Sequence, residues 1–197
     1  MNEDLSRLLE SIYEFGSKHD ATNRNHSEQM LNITPETGLF LQIITRAVRA
    51  NNMLEVGTSD GYSTLWIADA LSDHGGRVTT VEVSESKFSM ARENFEKSGG
   101  LSKYIDSRLG DVREFLKEQS RESFDLIFLD AERSQYVTYW KDLDRVLKTG
   151  SLLIVDNALS PKPEELRDFF NLVDSSGRYL SLALNLGKGE MIALKEG

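Results

Sequence analysis

Leu54-Glu55-Val56-Gly57-Thr58-Ser59-Asp60-Gly61-Tyr62-Ser63 is a short apolar strand that runs into a glycine-punctuated turn and then opens a helix. Outward from it, short apolar runs alternate with longer segments of helical period. The runs predict strands at 53–56, 77–83, 105–109, 124–129, 151–155, 179–185 and 190–195, with helices near 62–73, 85–98, 112–120, 135–147 and 163–174. Such alternation implies a doubly wound, mostly parallel sheet with helices on both faces. Only Leu186-Gly187-Lys188-Gly189 separates the last two strands. That is too short for a parallel crossover, so these strands are expected to form an antiparallel hairpin.

Upstream, Leu5, Leu8, Leu9, Ile12 and Phe15 fall on one helical face across residues 3–18, with an end near Gly16. The polar stretch His19–Gln29 reads as a linker, and Thr34-Pro35 as an N-cap followed by proline at the first helical position, opening a helix to about Ala50. The expected organisation is one structural domain: a helical extension (1–50) packed on a core (51–197). A length of 197 residues suits this reading.

Composition narrows the function. The chain has no cysteine, which removes disulfides, thiolate zinc sites and cysteine nucleophiles. Its net charge of −9 disfavours nucleic acid as a partner. The acidic start Met1-Asn2-Glu3-Asp4 has no secretory pattern, and the aliphatic run Leu152–Val155 is too short to span a bilayer. The expected location is the cytoplasm, with no membrane partner.

In a sheet of this kind, ligands bind beyond the carboxyl ends of the strands, where the winding reverses. Gly57 and Gly61 would let the first strand's turn approach a ligand closely. Their Gly-x-x-x-Gly spacing matches neither the dinucleotide pattern nor the phosphate-binding loop, which favours a nucleoside without a polyphosphate. The second strand ends at Glu82, 21 residues past Gly61, where a carboxylate can accept from both ribose hydroxyls. The third ends at Gly110-Asp111-Val112. There Asp111 can accept from an adenine amino group while the Val112 backbone meets the ring edge.

These residues, with Met30–Gly38, Phe124–Arg133 and Leu153–Asn157, resemble the class I S-adenosylmethionine-dependent methyltransferases, and within them the catechol and caffeoyl-coenzyme A O-methyltransferases. The resemblance implies a Rossmann-like fold with a donor site lined by Ile33, Glu55, Gly57, Thr58, Gly61, Ser63, Glu82, Asp111, Val112 and Asp130. Glu55 would face the methionine ammonium and Ser63 its carboxylate. It further implies a divalent cation, magnesium or else manganese or calcium, on Asp130, Asp156 and Asn157, an oxygen set suited to such hard ions. The bland reading of Asp156-Asn157 is a turn.

Where that family carries a lysine three residues after the first metal aspartate, this chain has Arg133. Arginine stays charged and cannot act as a general base. With Asp130, Arg133 is a catalytic candidate as an attractor of an anionic acceptor, and a surface arginine is its plain alternative. A reaction that deprotonates a hydroxyl must then use metal-bound water or Glu132 as base, or none if the acceptor arrives ionised. The segment Ala158–Pro163 is shorter than the usual acceptor-wall loop, which leaves either an open cleft or a site completed by a second copy, as in a homodimer. Tyr136, Tyr139 and Trp140 fit a core-facing helix better than an acceptor wall. His19, His26 and His74 lack ligand spacing and read as surface residues.

The implied activity is O-methylation of a small hydroxylated, catechol-like aromatic acceptor. Its rivals are methylation of a hydroxyuridine in transfer RNA and a non-catalytic S-adenosylmethionine-binding protein.

Overall fold

The computed structural model describes every residue except Pro161, and every side chain except those of Pro161 and His26. The expectations that fall on those two, the surface role of His26 and part of the 158–163 loop, lie outside the described residues.

The chain runs α1 (Glu3–Thr22), α2 (Pro35–Ala47), β1 (Asn52–Val56), α3 (Tyr62–Ser72), β2 (Arg77–Glu82), α4 (Glu85–Lys97), β3 (Ile105–Leu109), α5 (Val112–Glu118), β4 (Phe124–Leu129), α6 (Tyr136–Val146), β5 (Leu147–Val155), α7 (Arg167–Ser175), β6 (Tyr179–Leu184) and β7 (Glu190–Lys195). The strands form a single sheet in the order β3-β2-β1-β4-β5-β7-β6. The first five are parallel, and β7 runs antiparallel to both β5 and β6. Winding reverses between β1 and β4, so Val56 is flanked by Val81 on one side and Leu129 on the other.

Successive side chains of a strand point to opposite faces, and both faces here are buried. Leu54, Val56, Ile127 and Leu129 pack with Leu116, Tyr136, Leu143, Phe169 and Val173, under α5, α6 and α7. Met53, Leu126 and Phe128 pack with residues of α1 to α4, among them Leu9, Ile12, Leu41, Leu65 and Phe95. The N-terminal helix therefore covers its own sheet, and Tyr13 lies 5.6 Å from Tyr62, ring to ring.

Several boundaries differ from the sequence reading, among them the start of α7, which a 3-10 turn at Pro163–Leu166 delays to Arg167. Helix α1 continues to Thr22, and Phe15, expected on its apolar face, is exposed and stacks on His19. The polar segment that follows contains a 3-10 turn, His26–Glu28, whose Glu28 carboxylate accepts from Asn23 and Asn25. Strand β5 begins at Leu147 rather than 151. Lys148-Thr149-Gly150, which the sequence reading leaves between helix and strand, is absorbed into β5 as an irregularity, Leu147 pairing with Phe124 and Leu152 with Leu126. Among the described residues no helix is long and apolar enough to cross a membrane.

Candidate active site

The carboxyl ends of β1, β2, β3, β4 and β5 open onto one cleft of about 1030 Å³, the position expected for a ligand in a sheet of this topology. Its floor is the turn after β1. Gly57 has φ +96°, and a Cβ there would stand 2.1 Å from the Asp130 carbonyl oxygen, so close approach and backbone conformation both exclude a side chain. Gly61 has φ +86°, caps α3, and leaves room for the Phe95 ring, which a Cβ would meet at 2.5 Å.

Glu82 holds this turn from β2. One carboxylate oxygen accepts from the backbone N–H groups of Thr58 (3.2 Å) and Ser59 (2.9 Å), and the other from Ser84 (2.8 Å). Its side chain lines the cleft. Asp111 caps α5 and is gripped by the Arg113 guanidinium, whose hydrogen bonds lower the Asp111 pKa. Both Asp111 and Val112 line the cleft.

Beneath the turn lies a buried polar layer. Ser63 Oγ donates to Glu55 Oε1 at 2.6 Å and Thr64 Oγ1 donates to Oε2. Burial raises the Glu55 carboxyl to about 7, against the opposing pull of these hydroxyls. Asp60, held by Asn32 Nδ2 at 3.0 Å, is raised to about 6 for the same reason. Thus Ile33, Glu55, Thr58, Gly61 and Ser63 lie close to the turn but behind the cleft's lining, whereas Gly57, Glu82, Asp111, Val112, Asp130, Arg133 and Asn157 are part of it.

On the far side the β-ladder extends one residue past β4 and β5. The Asp130 N–H donates to Val56 O at 2.9 Å and the Asp156 N–H to Leu129 O at 3.0 Å, which sets the two carboxyls side by side. Burial, then the Asp156 charge, raises Asp130 well above the usual carboxylate range. Asn157 has φ +60° and donates from Nδ2 to Asp156 Oδ2 at 2.5 Å.

Sequence reasoning missed the next neighbour. Met191 pairs with Val155 across the antiparallel ladder, which carries Glu190 up to Asp156. Glu190 is fully buried. Thr37 Oγ1 donates to its Oε1 at 3.0 Å, while Oε2 has no hydrogen-bond partner among the described residues. Burial, then Asp156, pushes the Glu190 carboxyl up to about 10. Its clue in the sequence was only an acidic residue at the start of the apolar run Met191–Leu194.

Among the described residues no group of three or more His, Cys, Asp or Glu side chains is arranged to hold a metal ion. The expected set is different in kind, two carboxylates and an amide oxygen. It fits a hard divalent cation: Asp130 and Asp156 crowd each other with no ion pair to either among the described residues, and the Asp130 carboxyl, raised by burial and by Asp156, would ionise more readily beside a positive charge.

Arg133 lines the same cleft, its guanidinium 3.0 Å from the Glu165 carboxylate. Tyr136 is core, its hydroxyl accepting from the Ala131 N–H at 2.7 Å and donating to Ala131 O at 3.1 Å. Trp140 packs on Phe169, and Tyr139 is mostly buried with one edge on the cleft. His19 and His74 bond to the backbone oxygens of Glu28 and Ala50 and are not part of the cleft's lining.

Known proteins share this framework. The chain is 34% identical over 132 residues to a catechol O-methyltransferase of Niastella koreensis, a match covering 66% of this chain and 59% of that protein. It is 31% identical over 139 residues to caffeoyl-CoA O-methyltransferase 2 of Eucalyptus globulus, covering 68% and 56%. The chain therefore spans less than two thirds of the length of these curated relatives. An O-methyltransferase from Bacillus cereus, solved in complex with SAH, superposes with a TM-score of 0.81 at 30% identity, over 96% of this chain and 91% of that one. A family profile described as O-methyltransferase matches residues 5–162, most of the sequence, and on that match the chain belongs to the O-methyltransferase family.

Proposed function

We propose that the protein transfers the methyl group of S-adenosylmethionine to a hydroxyl oxygen of a small, catechol-like aromatic acceptor with help from a divalent cation. The carrying observation is that one cleft gathers Gly57, Glu82, Asp111, Asp130 and Asn157 from five successive strand ends, in the order the family's donor and cation sites use.

In this reading the Gly57 turn brings backbone against the donor, Glu82 turns its carboxylate to the ribose hydroxyls, and Asp111 with the Val112 N–H meets the adenine edge. Ile33, Thr58 and Gly61 shape the turn from behind. Glu55 would receive the methionine ammonium and Ser63 the carboxylate, and because both lie behind the cleft's lining, their mutual hydrogen bond has to open toward the ligand. Asp130, Asp156 and Asn157 would hold the cation, which when bound supplies positive charge that favours the ionised form of the acceptor hydroxyl. Methyl transfer is an in-line displacement, so the chain's contribution is alignment of acceptor oxygen and donor methyl and exclusion of water. Arg133, tied to Glu165, adds positive charge to the acceptor side and takes no proton.

The test is calorimetric binding of S-adenosylhomocysteine together with transfer of labelled methyl to catechol, in wild type and Asp156→Ala. Expected are donor-product binding by both proteins, transfer by wild type only, and loss of transfer on chelation. Absence of binding by wild type overturns the donor assignment, and full activity of Asp156→Ala overturns the cation assignment.

A further inference from the structure

Five basic side chains line the cleft. Four of them are already engaged. Lys87 Nζ donates to Gln29 O at 2.6 Å, Arg113 is bound to Asp111, and Arg133 and Lys162 both pair with Glu165, at 3.0 and 3.3 Å. The fifth, Lys188, forms no hydrogen bond or ion pair through its ammonium among the described residues.

Its placement is nevertheless fixed. Lys188 sits in the turn between β6 and β7, and that turn is tied to the segment after β5: the Ala158 N–H donates to Gly189 O at 2.8 Å and the Leu159 N–H to Lys188 O at 3.3 Å. Gly187, one residue earlier, lies directly against the Thr34 and Thr37 side chains at the start of α2. Lys188 lines the same cleft as Asp130 and Asn157. It also lies on the wall shared with a smaller pocket lined by Tyr13, Asn32 and Thr34. A half-buried cation with no hydrogen bond or ion pair among the described residues, carried on a pinned turn beside the proposed reacting centre, is arranged to meet an anion that arrives with a ligand.

We propose that Lys188 is a specificity-determining residue that pairs with a carboxylate on the methyl acceptor, so that the acceptor is an acidic catechol rather than a neutral one. This inference rests on the O-methyltransferase reading of the cleft and names its acceptor class.

The experiment compares protocatechuate, a carboxylated catechol, with its neutral benzylic-alcohol counterpart, in wild type, Lys188→Met and Lys188→Arg. Wild type should favour the carboxylated probe in kcat/KM by about tenfold or more, as one charged hydrogen bond allows. Lys188→Met should bring the ratio close to one through a higher KM for protocatechuate, with S-adenosylhomocysteine affinity retained as evidence of an intact fold. Lys188→Arg should keep most of the preference. An equal preference in wild type and Lys188→Met, or no preference in wild type, overturns the proposal. Failure of wild type to methylate either catechol overturns the acceptor reading on which it stands, an outcome distinct from the first two.

Discussion

Glu82 and Glu190 are both buried glutamates beside the cleft, one at the end of β2 and one at the start of β7, yet they stand in opposite states. Glu82 accepts three backbone N–H bonds and pins the turn that follows β1. Glu190 accepts one hydroxyl bond, has an oxygen without a donor among the described residues, and faces the Asp156 carboxyl. The donor side of the cleft is thus satisfied before any ligand arrives, while on the other side Asp130, Asp156 and Glu190 crowd together, and burial with their mutual repulsion favours the protonated forms of Asp130 and Glu190. A satisfied site binds by fitting a prepared shape. An unsatisfied one needs a proton or a cation to become stable.

The most damaging way to break the prepared side is Gly57→Ala. The new Cβ meets the Asp130 carbonyl at 2.1 Å in a backbone conformation that disfavours any side chain, so destabilisation of about 3 kcal/mol or more is expected. Chemical denaturation of the two proteins measures it. A loss below about 1 kcal/mol would mean that the turn has slack and is not prepared at all.

Acidity probes the buried layer beneath that turn. Glu55, facing Ser63, Thr64, Thr80 and Glu82, is raised from 4.5 to about 7. A carboxyl with a raised folded-state pKa binds its proton more tightly folded than unfolded, so its contribution to stability is complete below about pH 4.5 and is lost as pH rises through 7. Asp60, raised to about 6, adds in the same direction. Ligand-free protein should therefore lose stability between pH 5 and pH 8, and Glu55→Gln should remove about 3 kcal/mol or less of that loss. Unfolding curves across this range decide, and identical slopes for both proteins would deny the burial effect.

The next test addresses the pinning carboxylate directly. Glu82→Gln takes one acceptor oxygen from the Thr58, Ser59 and Ser84 amides and, in the proposed reading, from the ribose. S-adenosylhomocysteine affinity should fall about 10- to 100-fold, the value of a charged hydrogen bond. Affinity within about threefold of wild type would leave Glu82 as a turn anchor without a role in binding the donor.

The prepared side was also the legible side. The turn after β1, Glu82 and Asp111 each sit at a strand end, and strand ends follow from local apolar runs and the glycines that close them. What local pattern cannot carry is the register of an antiparallel insertion. Glu190 and Lys188 belong to a hairpin 30 or so residues beyond Asp156, and only the Val155–Met191 pairing brings them together. Thr37, which reads as an ordinary first-turn residue after the Thr34 cap, acquires its role by reaching across 153 positions to Glu190. The start of β5 was hidden for the opposite reason. Lys148-Thr149-Gly150 carries a real turn signal, which the sheet overrides with a bulge.

The smallest effect on stability should come from Arg133, on the acceptor side. Its pair with Glu165 joins two side chains that are 17% and 37% exposed, and a pair of that kind contributes about 1 kcal/mol or less. Arg133→Met should accordingly leave unfolding almost unchanged. Its kinetic signature is more informative. Because a guanidinium keeps its proton throughout the working range, removing it should shift the KM of a negatively charged acceptor while leaving the inflections of the kcat/KM pH profile where they are. Disappearance of the acidic-side inflection in Arg133→Met would instead tie that ionisation to the 133–165 pair. The proton acceptor would then have to be sought at Glu165 rather than at Glu132 or beside the cation on Asp130 and Asp156, and the contrast between the two sides of the cleft would no longer explain the chemistry.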